Sequence, residues 1–217
     1  MKYKGVIFDL DGTILDTIYD LGNSVNSTLE KYGQPLHTYE EYKKKIGKGF
    51  RDLIKRSFPE MTEEIILEQA LKDFLEIYDR SYMNDTRPYD GICEVLKVLT
   101  ANNIKLGINS NKRNDYTNKL VENFFSDIDF FGVFGERNNI PKKPAPDSAL
   151  EIAELMNLNP DEILYIGDSK TDILTGHNAG MGSAGVLWGF RDRKEFEENN
   201  ADYIFTAPYE ILELFDI

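Results

Sequence analysis

The chain has 217 residues, 41% hydrophobic and 29% charged, with a formal net charge of -13. That length accommodates one large domain or a core with a smaller insertion, while the absence of a membrane-length apolar run and the acidic balance argue against a membrane or nucleic-acid partner, since the latter needs a clustered basic face. Cys93 is the only cysteine, which excludes an intramolecular disulfide and a cysteine-rich metal site; with no signal-like segment at the N-terminus, a cytoplasmic location is the expectation.

The first predicted element is the apolar run Val6-Ile7-Phe8, which ends in Asp9-Leu10-Asp11-Gly12-Thr13. A continuous apolar run suits a parallel strand covered on both faces. Its carboxyl end is where open α/β sheets place ligands, so Asp9 and Asp11 stand together at the floor of a crevice, where their charges repel unless a cation or proton intervenes. A hard divalent ion, best matched by Mg2+, relieves that repulsion and draws a phosphate oxygen to the same place.

Asp16 or Thr17 is placed to cap a helix reaching residue 31 or 32, with Gly33 as its stop. Thr38 and Glu41 have the spacing of a capping box. Gly47-Lys48-Gly49 breaks the next segment, a helix is expected over 50–58, and Thr62 is placed to cap another over 63–83. From residue 89 the pattern changes to alternation: helix 92–102, strand 104–108, helix 115–123, strand 130–134, helix 147–156, strand 163–166, helix 171–179, strand 183–187, a last strand over 201–205 and a helix opened by Pro208. The expected fold class is α/β, a doubly wound parallel sheet formed by residues 1–15 and 90–217, interrupted by an all-helical insertion at 16–89 that sits over the strand ends as a lid.

Three further stretches follow predicted strands. Asn109-Ser110-Asn111-Lys112 supplies a hydroxyl, an amide and an ammonium; Lys142-Lys143-Pro144 presents a base before a helix; Gly167-Asp168-Ser169-Lys170-Thr171-Asp172 supplies two more acids. These are the parts needed to hold a metal and cradle a phosphate.

In order and spacing, Asp9-Leu10-Asp11-Gly12-Thr13, Ser110, Lys143 and Gly167-Asp168 with Asp172 closely resemble the four motifs of the haloacid dehalogenase superfamily, and the resemblance spans essentially the whole chain. It implies Asp9 as the nucleophile that forms an aspartyl-phosphate and Asp11 as general acid and base. It further implies Mg2+ held by Asp9, by Asp11 through its backbone carbonyl and by Asp168. Ser110 would bond a phosphoryl oxygen, Lys143 would balance the charge of nucleophile and phosphate, and Asp172 would orient Lys143 or a metal-bound water. Thr13, Asn111 and Lys112 are added as substrate-binding residues beside these motifs.

The inserted helices resemble the small cap of the phosphoglycolate phosphatase and β-phosphoglucomutase branch, and 46–56 with Arg87-Pro88-Tyr89-Asp90-Gly91 look most like phosphoglycolate phosphatase. Gly47 would let backbone approach a ligand, and Lys48 or Arg51 would meet a substrate carboxylate. The resulting expectation is a Mg2+-dependent phosphatase for a small phosphorylated substrate, 2-phosphoglycolate first, in a monomer or homodimer. A phosphomutase, a phosphonate hydrolase using one of Lys43, Lys44, Lys45 or Lys48, and a non-catalytic phosphate- or partner-binding regulator stay open as alternatives. Asp11 argues against a halide-releasing relative.

Overall fold

In the computed structural model, which describes residues 2–215 and 217, the first apolar run becomes β1 (Gly5–Phe8), buried at every position. It pairs in parallel with β4 (Lys105–Arg113) on one side and β6 (Ile163–Gly167) on the other, Phe8 lying opposite Ile108 and Ile166. With β5 (Phe130–Glu136) beyond β4, and β7 (Gly182–Val186) then β8 (Tyr203–Phe205) beyond β6, the sheet has the order β5-β4-β1-β6-β7-β8 and every pairing is parallel.

Both faces are covered by connecting helices, which is why the central strands are apolar without alternation. On one face Val6, Phe8 and Leu106 pack with Val95, Leu96 and Leu99 of α5 (Ile92–Ala101) and with Leu120 of α6 (Asn114–Phe124). On the other, Ile7 and Tyr165 pack with Ile152 and Met156 of α7 (Asp147–Met156), beside α8 (Lys170–Asn178). The short α9 (Arg193–Glu198) and α10 (Glu210–Glu213) complete the chain.

Between residues 17 and 86 the structure is helical: α1 (Ile18–Lys31), α2 (Tyr39–Lys45), α3 (Phe50–Ser57) and α4 (Glu64–Tyr78). These helices enclose a separate apolar cluster containing Val25, Leu29, Leu53 and Phe74, to which Tyr116 and Phe190 are contributed from the sheet side. Two two-residue strands, β2 (Leu15–Asp16) and β3 (Arg87–Pro88), pair antiparallel where the chain leaves and returns. We propose that the α/β core and the helical cap divide at this pair, near the expected cap bounds of 16–89.

Several boundaries differ from expectation. β4 runs through Arg113, with its pairing to β5 irregular between Asn109 and Arg113, so Ser110, Asn111 and Lys112 lie in a bulged strand and not in a loop after it. The last long cap helix ends at Tyr78 and not near 83, and Thr62 does not cap it: the Thr62 hydroxyl donates to the Pro59 carbonyl. α9 and the β2–β3 pair were not expected; α9 is a charged helix with Phe196 as its buried residue, too little apolar periodicity to register.

Candidate active site

Parallel pairing with β4 and β6 brings the ends of three strands to one edge, and the acids of the sequence gather there. Asp9, Asp168 and Asp172 are all buried, and one carboxylate oxygen from each lies within 4.8 Å of the others. Lys143 sits among them, its Nζ 2.8 Å from Asp9 Oδ1 and 2.7 Å from Asp172 Oδ1. Burial pushes Asp9 up to about 7, the nearby ammonium of Lys143 working against the shift and Asp172 adding to it. Burial, then the charges of Asp172 and Asp9, push Asp168 well above the usual carboxylate range. For Lys143 burial opposes the charge, but Asp172 and Asp9 outweigh it and hold the ammonium well above the ordinary lysine value. One ammonium among three carboxylates leaves the cluster short of positive charge.

The same constellation tests a divalent cation. Asp172 is fully engaged: Oδ1 with Lys143, and Oδ2 accepting from Ser169 N and Oγ in a capping box that starts α8. Asp168 Oδ2 accepts from Phe190 N at 2.8 Å, and its other oxygen has no hydrogen bond among the described residues. Hard oxygen donors in electron-rich excess, two of them with carboxylate oxygens to spare, fit Mg2+. Asp172 belongs to the carboxylate cluster by distance, yet its hydrogen bonds assign it to holding Lys143 and the helix start. The Asp11 side chain is not part of that triple: its Oδ1 accepts from Thr17 Oγ1 at 2.7 Å and Lys112 Nζ at 2.9 Å.

Two glycines make this density possible. Gly12, at φ +84°, lies so close to Asp168 and Phe190 that a Cβ would collide with both, and a Cβ on Gly167 would run into the Asp172 carboxylate.

Asp9, Asp11, Ser110, Asn111, Lys112 and Asp168 line an inner chamber of only about 30 Å³, roofed by Leu21, Ile46, Gly47, Gly49, Phe50 and Leu53 of the cap. Through Ile46, Gly47, Ser169, Phe190 and Arg191 it adjoins an outer vestibule of about 600 Å³ that carries Lys43, Lys44, Lys48, Arg56 and Lys170. The inner chamber is therefore apolar on its cap side, while the vestibule is mixed in charge with bases in excess, Glu40, Asp192 and Glu195 also lining it.

The remaining expected residues fall as follows. Ser110 is buried and lines the chamber, its Oγ accepting from Lys112 N. Asn111 lines it too, but its amide is spent as a strut: Nδ2 donates to the Gly47 and Lys143 carbonyls, and Oδ1 accepts from Lys143 N. Lys112 lines the chamber, its ammonium paired with Asp11 at 2.9 Å. Thr13 is buried outside the chamber lining; its carbonyl accepts from Trp188 Nε1. Lys48 lines the vestibule, and Arg51 lines neither space, its guanidinium being paired with Glu64 and Glu68 on the cap surface. That pairing removes Arg51 from any carboxylate in the chamber, because its charge is met within α3 and α4.

Thr17, Ser169, Phe190 and Arg191 are part of the site and were not singled out from the sequence. Thr17 stands at the helix-cap position expected of it, but its hydroxyl donates to Asp11 Oδ1 and not to the helix. Arg191 follows β7, and its guanidinium donates to the Lys43 carbonyl and, at 3.1 Å, to the Ile46 carbonyl, fastening core to cap. No spacing pattern marks it.

A doubly wound α/β core with an acidic, lysine-balanced centre beneath an inserted helical cap defines a hydrolase of the phosphoryl-transfer type. The model of the haloacid dehalogenase-like hydrolases matches residues 6–186, and the chain belongs to that family. A phosphoglycolate phosphatase of Nitrosospira multiformis is 32% identical over 222 residues, covering 99% of this chain and 96% of the relative. Among solved structures, a predicted phosphoglycolate phosphatase from Haemophilus somnus superposes with a TM-score of 0.92 at 26% identity, covering 99% of each chain. A protein from Lactobacillus delbrueckii subsp. bulgaricus with the same provisional description reaches 0.93 at 32% identity, covering 99% of this chain and 98% of that one.

Proposed function

We propose that the protein is a Mg2+-dependent phosphatase that hydrolyses a small phosphomonoester through an aspartyl-phosphate, with 2-phosphoglycolate as the first candidate. The observation that carries this reading is Asp9, buried at the floor of the chamber with Lys143 Nζ 2.8 Å away and two further carboxylates beside it.

An Asp9 carboxylate oxygen attacks phosphorus, the bond to the leaving oxygen breaks, and a proton from the Asp11 carboxyl converts that oxygen to the product alcohol. Asp11, now ionised, takes a proton from water as the water oxygen attacks phosphorus; the acyl-phosphate bond breaks, releasing phosphate and restoring Asp9. Two anions must approach one another in the first step, so Lys143 supplies compensating charge and Ser110 a hydroxyl donor at the chamber wall. Asp172 keeps Lys143 in place. Mg2+, held by Asp9, Asp168 and the Asp11 carbonyl, would add the positive charge that the carboxylate cluster lacks.

The small chamber supports a small substrate, and the named relatives support phosphoglycolate. Lys48, with the neighbouring Lys44 and Lys170 of the vestibule, would meet a second anionic group of the substrate, Arg191 being committed to the Lys43 and Ile46 carbonyls and to Glu195, and Lys43 to Glu40. The phosphonate-hydrolase reading is less well supported: Lys43, Lys44 and Lys48 open on the vestibule and Lys45 Nζ donates to the Arg56 carbonyl, so none of the four lines the chamber with Asp9.

The test is phosphate release across phosphoglycolate, sugar phosphates, nucleotides and pyrophosphate, with Asp9→Asn as the blank. The expected result is Mg2+-dependent turnover, abolished by a chelator and restored by Mg2+, with phosphoglycolate preferred. Full activity in Asp9→Asn would overturn the covalent mechanism, and broad, weak turnover would overturn the substrate.

A further inference from the structure

The Lys112 side chain is 0% exposed, and Asp11 is its one carboxylate partner among the described residues, with Nζ 2.9 Å from Oδ1. Its remaining surroundings are aromatic: the ammonium lies 5.4 Å from the ring centre of Phe50 and 5.2 Å from that of Tyr78. A buried ammonium must replace water by acceptors or by ring faces. The two sources are different parts of the molecule. Asp11 and Lys112 belong to the core, whereas Phe50 opens α3 and Tyr78 closes α4 of the cap.

On the Asp11 side, Oδ1 takes both the Lys112 and the Thr17 bonds, and Oδ2 has no hydrogen bond among the described residues. Oδ2 is therefore the oxygen left for proton exchange at the reacting centre. We propose that Lys112 is a positioning residue that couples seating of the cap to placement of the Asp11 carboxyl: the ring faces of Phe50 and Tyr78 fix the ammonium, and the ammonium fixes Oδ1. This rests on the reading of Asp11 as the proton donor and acceptor. Lys112 itself forms no bond to substrate in this arrangement, which separates it from the substrate-binding role expected from the sequence.

An alkyl phosphate needs a proton delivered to its leaving oxygen, whereas 4-nitrophenyl phosphate has a leaving group stable as an anion. The ratio of kcat/KM values for the two therefore reads proton delivery and cancels general damage to the site. The full chain is assayed with Mg2+ as wild type, Lys112→Met, Lys112→Arg, Phe50→Leu and Asp11→Ala, using the best alkyl phosphate of the panel, and orthovanadate inhibition is measured in parallel. Lys112→Met is expected to lose about tenfold or more on the alkyl phosphate and about threefold or less on 4-nitrophenyl phosphate, general acids contributing roughly 10²–10⁴. Orthovanadate inhibition is expected to stay unchanged, and Lys112→Arg to recover part of the ratio. Phe50→Leu, which leaves the lysine in place, is expected to shift the ratio in the same direction through the cap, and serves if Lys112→Met fails to fold.

If Asp11→Ala shows no leaving-group dependence, the reading of Asp11 falls and the proposal with it. If Asp11→Ala shows it but Lys112→Met and Phe50→Leu lose equally on both substrates, only the proposal falls. Orthovanadate inhibition weakened in step with turnover in Lys112→Met would overturn it differently, by making Lys112 a ligand of the phosphoryl group.

Discussion

At Lys143, one buried ammonium faces carboxylates on two sides, and on the proposed reading both stability and chemistry depend on it. Removing one partner of a buried ion pair is costly because the other charge is left without water, about 3–5 kcal/mol in typical cases. Lys143→Met is accordingly expected to lower unfolding free energy by about 3 kcal/mol by urea denaturation in the presence of chelator, and to lower phosphatase turnover by about 10² or more. A stability change below about 1 kcal/mol would show that the carboxylates relieve their repulsion by protonation. Gly167 makes the same point through space: Gly167→Ala has no room beside the Asp172 carboxylate, so that group must move off Lys143. The expected outcome is a turnover loss of about tenfold or more with a lowered melting temperature. Retention of wild-type kinetics would mean the helix start shifts as a unit.

Among the elements, the cap is held by polar ties as well as by its apolar cluster. Asp73 of α4 receives Lys31 Nζ at 2.8 Å and Tyr32 OH at 2.7 Å from the end of α1. The Lys31 bond, opposed by burial and aided by Tyr32 and Gln69, holds the Asp73 carboxyl below its usual value. A folded-state pKa below the unfolded one means the stabilisation is complete above the ordinary carboxylate pKa and is lost as pH falls through the folded value. Asp73→Asn is therefore expected to cost about 1 kcal/mol at pH 7, with the difference from wild type shrinking at about pH 3.5. A pH-independent difference would assign the effect to packing. Elements also show where periodicity suffices. The capping box of Thr38 and Glu41 forms as its spacing requires, and Gly33 follows α1 at φ +63°. Beyond Ile108, though, nothing local distinguishes a loop from a bulged strand continuation, because the outcome depends on pairing with β5, distant in sequence.

In the whole molecule, several side chains of the core reach across to the cap, among them Asn111, which donates to the Gly47 carbonyl, Tyr116, whose hydroxyl donates to Asp79 Oδ1, and Arg191, which donates to the Lys43 and Ile46 carbonyls. Arg191→Met is expected to loosen the cap, raising KM several-fold for a small substrate and increasing protease cleavage near the β2–β3 link, with the melting temperature of the core little changed. Unaltered proteolysis would remove Arg191 from that role. The sequence by itself determined the parallel α/β core with its helical insertion, because burial on both faces makes central strands apolar and the change from unbroken helix to strand–helix alternation marks the insertion. It also placed Asp9 and Asp168 directly after apolar strands, since acids and glycines following apolar runs are a local signal, whereas Ser110 lies within the bulged continuation of β4 and Lys143 in the stretch between β5 and α7. Only the tertiary structure decided what each side chain touches. Arg51 is neutralised by Glu64 and Glu68, Asn111 is consumed as a strut, and Lys112 turns to Asp11 inside rings from α3 and α4. Those outcomes depend on neighbours up to 101 residues apart, as between Asp11 and Lys112, where electrostatics and packing are set by the folded arrangement and leave no periodic trace in the chain.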